Sequence, residues 1–144
     1  GLQWAIDTFS VPVLMHIEEQ EILDRNPLTA KQYGFLFEKF EGEISFIDEK
    51  NELNLDEDIL KILYVPGHSP GSLAYHSEVQ NFVISGDALF QGSIGRTDLY
   101  KGNHEQLIQC IKEKLFTLKP ETVVFSGHGN PTEIGFEIEN NPFF

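Results

Sequence analysis

The sequence has few residues that could cross-link it or attract it to nucleic acid. Its single cysteine, Cys110, excludes an internal disulfide, as is usual for proteins of a reducing compartment such as the cytoplasm. Basic residues are scarce, since 10 lysines and arginines stand against 23 acidic residues, and the formal net charge is -13. A surface this acidic repels phosphate backbones. We therefore expect a cytoplasmic protein that does not bind nucleic acid.

The signatures of several other protein classes are also missing. No apolar run approaches the length that spans a bilayer, so we expect no membrane partner. Neither a serine nucleophile elbow nor a glycine-rich phosphate loop occurs. The 144 residues, 40% of them hydrophobic and 23% charged, suit one globular domain. Acidic runs at Glu18–Glu21 and Asp48–Asp58 are interpreted as solvated faces.

One short pattern occurs three times in the sequence. An apolar run with strand character ends in a glycine, and a potential metal ligand follows at once, in Gly67-His68, Gly86-Asp87 and Gly127-His128. Rigid strands fix where their ends lie, and glycine lets the backbone approach an ion closely. Imidazole and carboxylate groups are ligands of zinc, manganese and iron. If the three strand ends lie side by side, they form a metal site.

Each of the three candidate ligands also has a simpler interpretation. His68 or His128 alone could be structural, and Asp87 could form an Asx turn or pair with Arg96. Asp87 lies between two apolar segments, however, and burying an unpaired carboxylate costs several kcal/mol, which favours a metal. Arg96 could bind a substrate carboxylate, but we prefer a structural pair with Asp98.

The other histidines and the cysteine are not assigned to the metal. His16 at the end of a predicted strand, His76 within one and His104 at the start of a helix are interpreted as structural or solvent-facing. Cys110 falls inside a predicted helix without a nearby base in sequence. It is better interpreted as a packed core residue than as a nucleophile.

Periodicity and turn residues predict an α/β (α+β) protein of mixed helices and strands. Helices are expected over 2–10, 18–23, 28–40 and from 103 onward, and strands over 11–15, 44–47, 52–55, 58–65, 72–77, 81–85 and 122–126. Pro27 should end the second helix. The turn at Asp48–Asn51 should pair 44–47 with 52–55, and a short loop at 78–80 should close a hairpin. Asn103 should cap a helix, with Gln106 completing a capping box.

Four segments, in order, resemble the metallo-β-lactamase superfamily and within it the glyoxalase II-like hydrolases. They are Pro66-Gly67-His68-Ser69-Pro70-Gly71-Ser72, Ser85-Gly86-Asp87-Ala88-Leu89-Phe90, Gly95-Arg96-Thr97-Asp98 and Ser126-Gly127-His128-Gly129. The ending, from Asn130 through Phe143, is similar to the short bacterial members. The resemblance implies an αββα sandwich with the site at one edge of its two sheets.

The resemblance also implies a site with two divalent metal ions, zinc first and iron or manganese as alternatives. His68 would ligate one ion and His128 the other, while Asp87 would bridge them as the catalytic carboxylate. The implied activity is that of a hydroxyacylglutathione hydrolase-like enzyme, in which a metal-bound hydroxide cleaves a small-molecule thioester or related ester. The alternatives are a mononuclear iron persulfide dioxygenase of the same fold and a metal-free degenerate module that only binds a partner.

One motif of the family is missing from this chain. The family's T-H-x-H-x-D-H segment is absent, and His16 is the only histidine before His68. We therefore expect residues 1–144 to be one metallo-β-lactamase-like domain without its N-terminal strands and first metal motif. Such a chain should bind metal weakly or not at all and be inactive alone. It should also expose apolar sheet surface, through which a homodimer could form.

Overall fold

The computed structural model describes residues 1–37 and 39–144 and divides into two compact units, Gly1–Ile47 and Asp48–Phe144. The first unit comprises helix α1 (Leu2–Phe9), strand β1 (Val13–Met15), a 3-10 turn (Ile17–Glu19), helix α2 (Gln20–Gln32) and strand β2 (Ile44–Phe46). Strands β1 and β2 form a parallel two-stranded sheet. The expectation of a single domain over 1–144 stays a prediction.

Helix α2 replaces two of the predicted helices. The sequence predicts one helix that ends before Pro27 and another over 28–40, whereas the structure has one helix that contains Pro27. The prediction is wrong because proline removes one hydrogen-bond donor from a helix but need not end it. Glu38, inside the second predicted helix, lies outside the described residues. No helix within 1–37 and 39–144 is both long and apolar enough to cross a membrane.

The end of α2 is set by Gly34, which has a left-handed φ of 77°. The Gly34 N–H donates to the carbonyl of Lys31, and the Phe35 N–H donates to the carbonyl of Ala30. These two bonds form a Schellman motif, in which a left-handed glycine stops a helix. Gly34 is therefore the residue that ends the helix, not a residue of its interior.

The second unit contains a six-stranded mixed sheet. Its elements are β3 (Glu52–Leu55), β4 (Asp58–Tyr64), β5 (Leu73–Ser77), β6 (Phe82–Gly86), β7 (Leu89–Phe90), β8 (Ser93–Ile94), α3 (His104–Cys110), a π-helical turn (Ile111–Leu115), β9 (Val123–Ser126), β10 (Thr132–Glu133) and α4 (Ile134–Asn140). The strand order is β10-β9-β6-β5-β4-β3, and β7 and β8 form a separate hairpin. The strands predicted over 58–65, 72–77, 81–85 and 122–126 are confirmed, as is the hairpin between β5 and β6.

The predicted pairing of 44–47 with 52–55 is wrong. Strand β2 pairs with β1, and β3 pairs with β4 through a two-residue turn that begins at Asp56. The segment Asp48–Asn51 does form a turn, since the Asp48 side chain accepts from the Lys50 N–H at 2.8 Å. The turn residues were thus predicted correctly, but they carry no information on which strands pair across the turn.

The core of the second unit lies between one face of the six-stranded sheet and the helices. Val83 and Val124 of the sheet are fully buried together with Leu107, Leu115 and Ile134 of the helical segments. Cys110 packs at the margin of this core, and burial raises the pKa of its thiol. This confirms its interpretation as a packing residue.

Candidate metal centre

The strands that precede the three candidate ligands all end at the same edge of the six-stranded sheet. Strands β6 and β9 are parallel neighbours. Strand β4 points the same way as β6, because both are antiparallel to β5, which lies between them. His68, Asp87 and His128 follow β4, β6 and β9 respectively. Sheet topology therefore brings together three side chains that are far apart in the sequence.

The two histidines converge on one oxygen of Asp87. The Nε2 atom of His68 lies 3.7 Å from Asp87 Oδ2, and the Nε2 atom of His128 lies 3.9 Å from the same oxygen. Both distances exceed those of hydrogen bonds. The Asp87 side chain is 36% exposed, against 21% for His68 and 75% for His128, so the site opens to solvent on the His128 side. The convergence of the three strand ends is confirmed, and metal binding by these residues stays a prediction.

His68 is held by a backbone carbonyl. Its Nδ1 atom lies 2.8 Å from the carbonyl oxygen of Arg96. Because a carbonyl oxygen can only accept, Nδ1 carries the proton and donates. In the neutral ring the Nε2 lone pair is then free, and Nε2 is the atom nearer to Asp87. This hydrogen bond to the far ring nitrogen is the usual way in which proteins orient a metal-binding histidine.

The turn that carries His68 is fixed at both ends. The Val65 N–H donates to the Ser72 carbonyl at 2.9 Å, and the Asn103 N–H donates to the Gly67 carbonyl at 2.7 Å. The Asn103 side chain accepts from the Gln106 N–H at 3.0 Å, so the predicted helix cap is confirmed. The reciprocal half of the capping box is wrong, because the Asn103 N–H bonds to Gly67 instead of to the Gln106 side chain. The start of α3 is thereby tied to the His68 turn.

Two glycines give Asp87 the space that it occupies. A Cβ atom on Gly127 would lie 2.1 Å from Asp87 Oδ1. A Cβ atom on Gly95 would lie 1.8 Å from the Asp87 carbonyl oxygen and 3.2 Å from the Cβ of His68. The backbone at Gly127 thus lies directly against the Asp87 carboxylate. The contact of Gly95 was not predicted, because a glycine in a loop gives no sign of which backbone it approaches.

Arg96 forms the structural pair that the sequence favours. Its Nε and Nη2 atoms each donate to an Asp98 oxygen at 2.7 Å. The bidentate hydrogen bonding by this guanidinium lowers the pKa of Asp98 to about 2. Arg96 therefore contacts the site through its backbone carbonyl, which binds His68, while its side chain fixes the loop.

Sequence reasoning missed Phe90 as a neighbour of the site. Its ring centroid lies 4.6 Å from that of His128, with 39° between the ring planes. Phe90 belongs to the short strand β7 just after Asp87. The signal that could have found it is the apolar pair Leu89-Phe90 beside the predicted carboxylate. The ring supports the most exposed of the three candidate ligands.

The remaining histidines lie in structural or exposed positions, as predicted. His16 caps the 3-10 turn, and its Nδ1 accepts from the Glu18 N–H at 3.3 Å. His76 is buried in β5, and burial lowers its pKa. His104 is exposed at the first position of α3.

The donor atoms present fit part of a metal centre. Zinc binds nitrogen and oxygen at about 2.0–2.2 Å, so two ligands of one ion lie at most about 4.3 Å apart. Both histidine-to-Asp87 distances, 3.7 Å and 3.9 Å, are within that limit. Across residues 1–37 and 39–144, no group of three or more His, Cys, Asp or Glu side chains is arranged to hold one ion. Each histidine together with Asp87 thus offers two protein ligands per ion, and a four-coordinate ion needs further donors.

Comparison with known proteins places these residues in a family. The model of the metallo-beta-lactamase superfamily matches residues 1–128. The chain is 52% identical over 97 residues to the probable metallo-hydrolase YqgX of Bacillus subtilis, covering 67% of this chain and 46% of that protein. It is 35% identical over 127 residues to the hydroxyacylglutathione hydrolase GloC of Haemophilus influenzae, covering 88% and 60%. The chain therefore spans about half to three fifths of the length of these relatives.

Solved structures agree with this assignment. BLEG-1 B3 metallo-beta-lactamase superposes with a TM-score of 0.89 at 36% identity, covering 99% of this chain and 69% of that one. TTHA1623, in a di-iron-bound form, superposes with a TM-score of 0.85 at 33% identity, covering 96% and 68%. The expected metallo-β-lactamase fold is thus confirmed. On the family match and these likenesses together, the chain belongs to the metallo-β-lactamase superfamily.

Proposed function

We propose that this chain carries part of the active site of a metal-dependent hydrolase that cleaves thioesters or related esters. The observation that carries the proposal is the convergence of His68 and His128 on one oxygen of Asp87. The names of YqgX, a probable metallo-hydrolase, and GloC, a hydroxyacylglutathione hydrolase, support the reaction class and a small-molecule thioester as substrate. The single cysteine supports a cytoplasmic location.

In this proposal the chain's residues hold and space the metal ions. His68 would bind one ion and His128 the other, each through Nε2, and the Asp87 carboxylate would contribute to both. When bound, divalent ions lower the pKa of water and polarise a scissile carbonyl. The Arg96 carbonyl keeps the proton on His68 Nδ1, so that Nε2 remains available as a ligand. Phe90 limits the orientations of the His128 ring.

Zinc is the proposed metal, and iron is the leading alternative. Borderline nitrogen and oxygen ligands accept both ions. TTHA1623, at 33% identity, is described in a di-iron-bound form, which supports iron as the alternative. ETHE1 from Myxococcus xanthus superposes with a TM-score of 0.64 but is only 24% identical, so its likeness bears on the fold alone. Thioester hydrolysis therefore remains the proposed reaction.

The role of His68 can be tested by the activity of the full-length protein on a hydroxyacylglutathione thioester. Cleavage is measured as the loss of thioester absorbance. We expect His68→Ala to lower kcat/KM by more than about 100-fold, because removing even an outer-shell partner of a metal ligand costs about 10–100-fold. His104→Ala is the matched control, since this histidine is exposed on α3. Equal activity of the two variants would contradict the proposal. Oxygen consumption with glutathione persulfide, in place of thioester cleavage, would favour the dioxygenase.

A further inference from the structure

A buried carboxylate lies in the C-terminal helix, outside the proposed metal site. Glu137 of α4 is fully buried. Its side chain accepts from Thr132 Oγ1 at 2.6 Å, from Asn141 Nδ2 at 2.7 Å and from the Gly92 N–H at 3.0 Å. Burying a carboxylate is costly unless it is well hydrogen-bonded, and these three donors meet that need. The group belongs to the C-terminal segment that resembles the short bacterial family members, and the proposed chemistry makes no use of it.

Asn141 extends this network to a second backbone group. Its side chain is almost fully buried, and Nδ2 also donates to the Ser93 carbonyl at 3.0 Å. Glu137 and Asn141 therefore bind consecutive residues, Gly92 and Ser93, where the chain turns from β7 into β8. Each of these strands has only two residues.

A two-stranded hairpin is marginal by itself, and contacts outside it must hold it in place. Leu89 and Ile94 are buried in the core. The Ser85 and Ser126 hydroxyls donate to the Leu89 carbonyl. Glu137 and Asn141 add the anchors of the turn.

The anchored hairpin connects directly to the candidate metal centre. Strand β7 begins two residues after Asp87. After β8 ends, the Gly95 N–H donates to the Ala88 carbonyl at 3.1 Å. The next residue is Arg96, whose carbonyl accepts from His68 Nδ1 at 2.8 Å. The hairpin thus leads directly into the residue whose carbonyl orients His68.

We propose that Glu137 and Asn141 are positioning residues: they clamp the β7–β8 hairpin, which holds the Arg96 carbonyl against Nδ1 of His68. Glu137 and Asn141 together form the clamp. The inference rests on the proposed function for its catalytic meaning. The hydrogen bond from His68 Nδ1 to the Arg96 carbonyl can, however, be measured without an activity assay.

The test is NMR on the full-length protein labelled with 15N in histidine. In the wild type, the His68 Nδ1 proton should be observed and should exchange slowly with water. In Glu137→Ala that exchange should be about tenfold faster or more, the size expected when one hydrogen bond is lost. The ring signals of His76, which is buried in β5, report in the same spectra that the protein is folded.

Two variants separate the clamp from general effects of substitution. In Glu137→Gln the carbonyl oxygen can still accept from Gly92 and Asn141, and the new NH2 can donate to the Thr132 hydroxyl. We expect this isostere to restore slow exchange. Glu139→Ala changes an exposed glutamate of the same helix and should match the wild type. A purely structural role of Glu137 would lower stability without changing His68 in the folded protein.

The result that would overturn the inference is a folded Glu137→Ala protein whose His68 Nδ1 proton exchanges as slowly as in the wild type. A wild-type His68 that carries its proton on Nε2 would overturn it without any variant. If Glu137→Ala does not fold, Asn141→Ala decides, since it leaves the bonds of Glu137 to Thr132 and Gly92. Slow exchange in that variant would also reject the clamp. If Glu137→Ala shows the faster exchange but the full-length protein has no hydrolase activity, the proposed function is rejected. The positioning role of Glu137 and Asn141 then stands.

Discussion

At the scale of single residues, Gly127 leaves no room for a side chain beside the Asp87 carboxylate. An alanine Cβ would lie 2.1 Å from Oδ1, so the carboxylate would have to rotate away. Oδ1 is a terminal atom of the Asp87 side chain and can move, and Gly127 is exposed, so the rest of the fold should tolerate the change. We expect Gly127→Ala to weaken zinc binding by at least about tenfold, with little change in Tm. Isothermal titration calorimetry of the full-length protein measures the zinc affinity, and thermal unfolding measures the Tm.

Gly95 gives the contrasting case, in which the added Cβ meets backbone instead of a side-chain oxygen. Its alanine Cβ would lie 1.8 Å from the Asp87 carbonyl oxygen, which is a backbone atom and cannot rotate away. Gly95→Ala should therefore lower the free energy of unfolding by about 1–3 kcal/mol, as overpacked positions do. If Gly127→Ala bound zinc as tightly as the wild type, the position of the Asp87 carboxylate would not matter for metal binding.

At the scale of elements, Gly34 ends helix α2 through its left-handed φ of 77°. A Cβ added there would meet no atom within 4 Å, so alanine would bring conformational strain without a clash. We expect Gly34→Ala to reduce the free energy of unfolding by about 1–2 kcal/mol, the cost of a left-handed conformation for an L-residue. Urea denaturation followed by circular dichroism measures this. The reference variant is Gly1→Ala at the N-cap of α1, whose Cβ also meets no atom within 4 Å and which has no left-handed φ.

Strand β5 makes the protein sensitive to acid through His76. Burial lowers the pKa of His76 from 6.5; Glu78 opposes this shift, and Lys61 and Lys119 add to it. The folded protein thus binds this proton less readily than the unfolded chain, so stability falls as pH drops below 6.5 towards the lower folded pKa. We expect His76→Gln to lose less unfolding free energy than the wild type between about pH 7 and about pH 5. Urea denaturation at each pH checks this.

The control for His76 is His104→Gln, which removes an exposed histidine from α3. Its pH dependence should follow that of the wild type. The same pH dependence in His76→Gln and His104→Gln would show that His76 is not the source of the acid sensitivity.

The elements differ in how far the sequence could predict them. Strands β4, β5, β6 and β9 were predicted because their apolar residues recur in short runs between clear turn residues. Helix α2 was split in two because a proline interrupts its pattern, and tertiary structure tolerates that proline. The partner of β2 was wrong because strand pairing depends on contacts distant in sequence. Local patterns thus predict that an element exists better than they predict its end or its partner.

At the scale of the whole molecule, the candidate site could be predicted in its side chains but not in its backbone. His68, Asp87 and His128 share a local pattern, and parallel strand directions place them at one sheet edge. The Arg96 carbonyl and the space beside Gly95 leave no trace in residue type, because every residue has a backbone. These features required the three-dimensional structure.

The sequence predicts a homodimer through exposed apolar sheet surface. Ile84 and Phe125 are neighbours across β6 and β9 on the sheet face opposite the core, and they are 41% and 44% exposed. Contiguous apolar patches, when large, mark surfaces that associate. A homodimer through this face stays a prediction.

The most direct measurement is the metal content of the full-length protein and two matched variants by inductively coupled plasma mass spectrometry. Asp87→Asn keeps the shape of the side chain and removes its charge, and Asp56→Asn makes the same change in the exposed β3–β4 turn. We expect the wild type and Asp56→Asn to retain bound zinc or iron and Asp87→Asn to lose most of it, because a neutral amide is a poor ligand for these ions. Equal metal content in Asp87→Asn and the wild type would show that the metal centre is not built on Asp87.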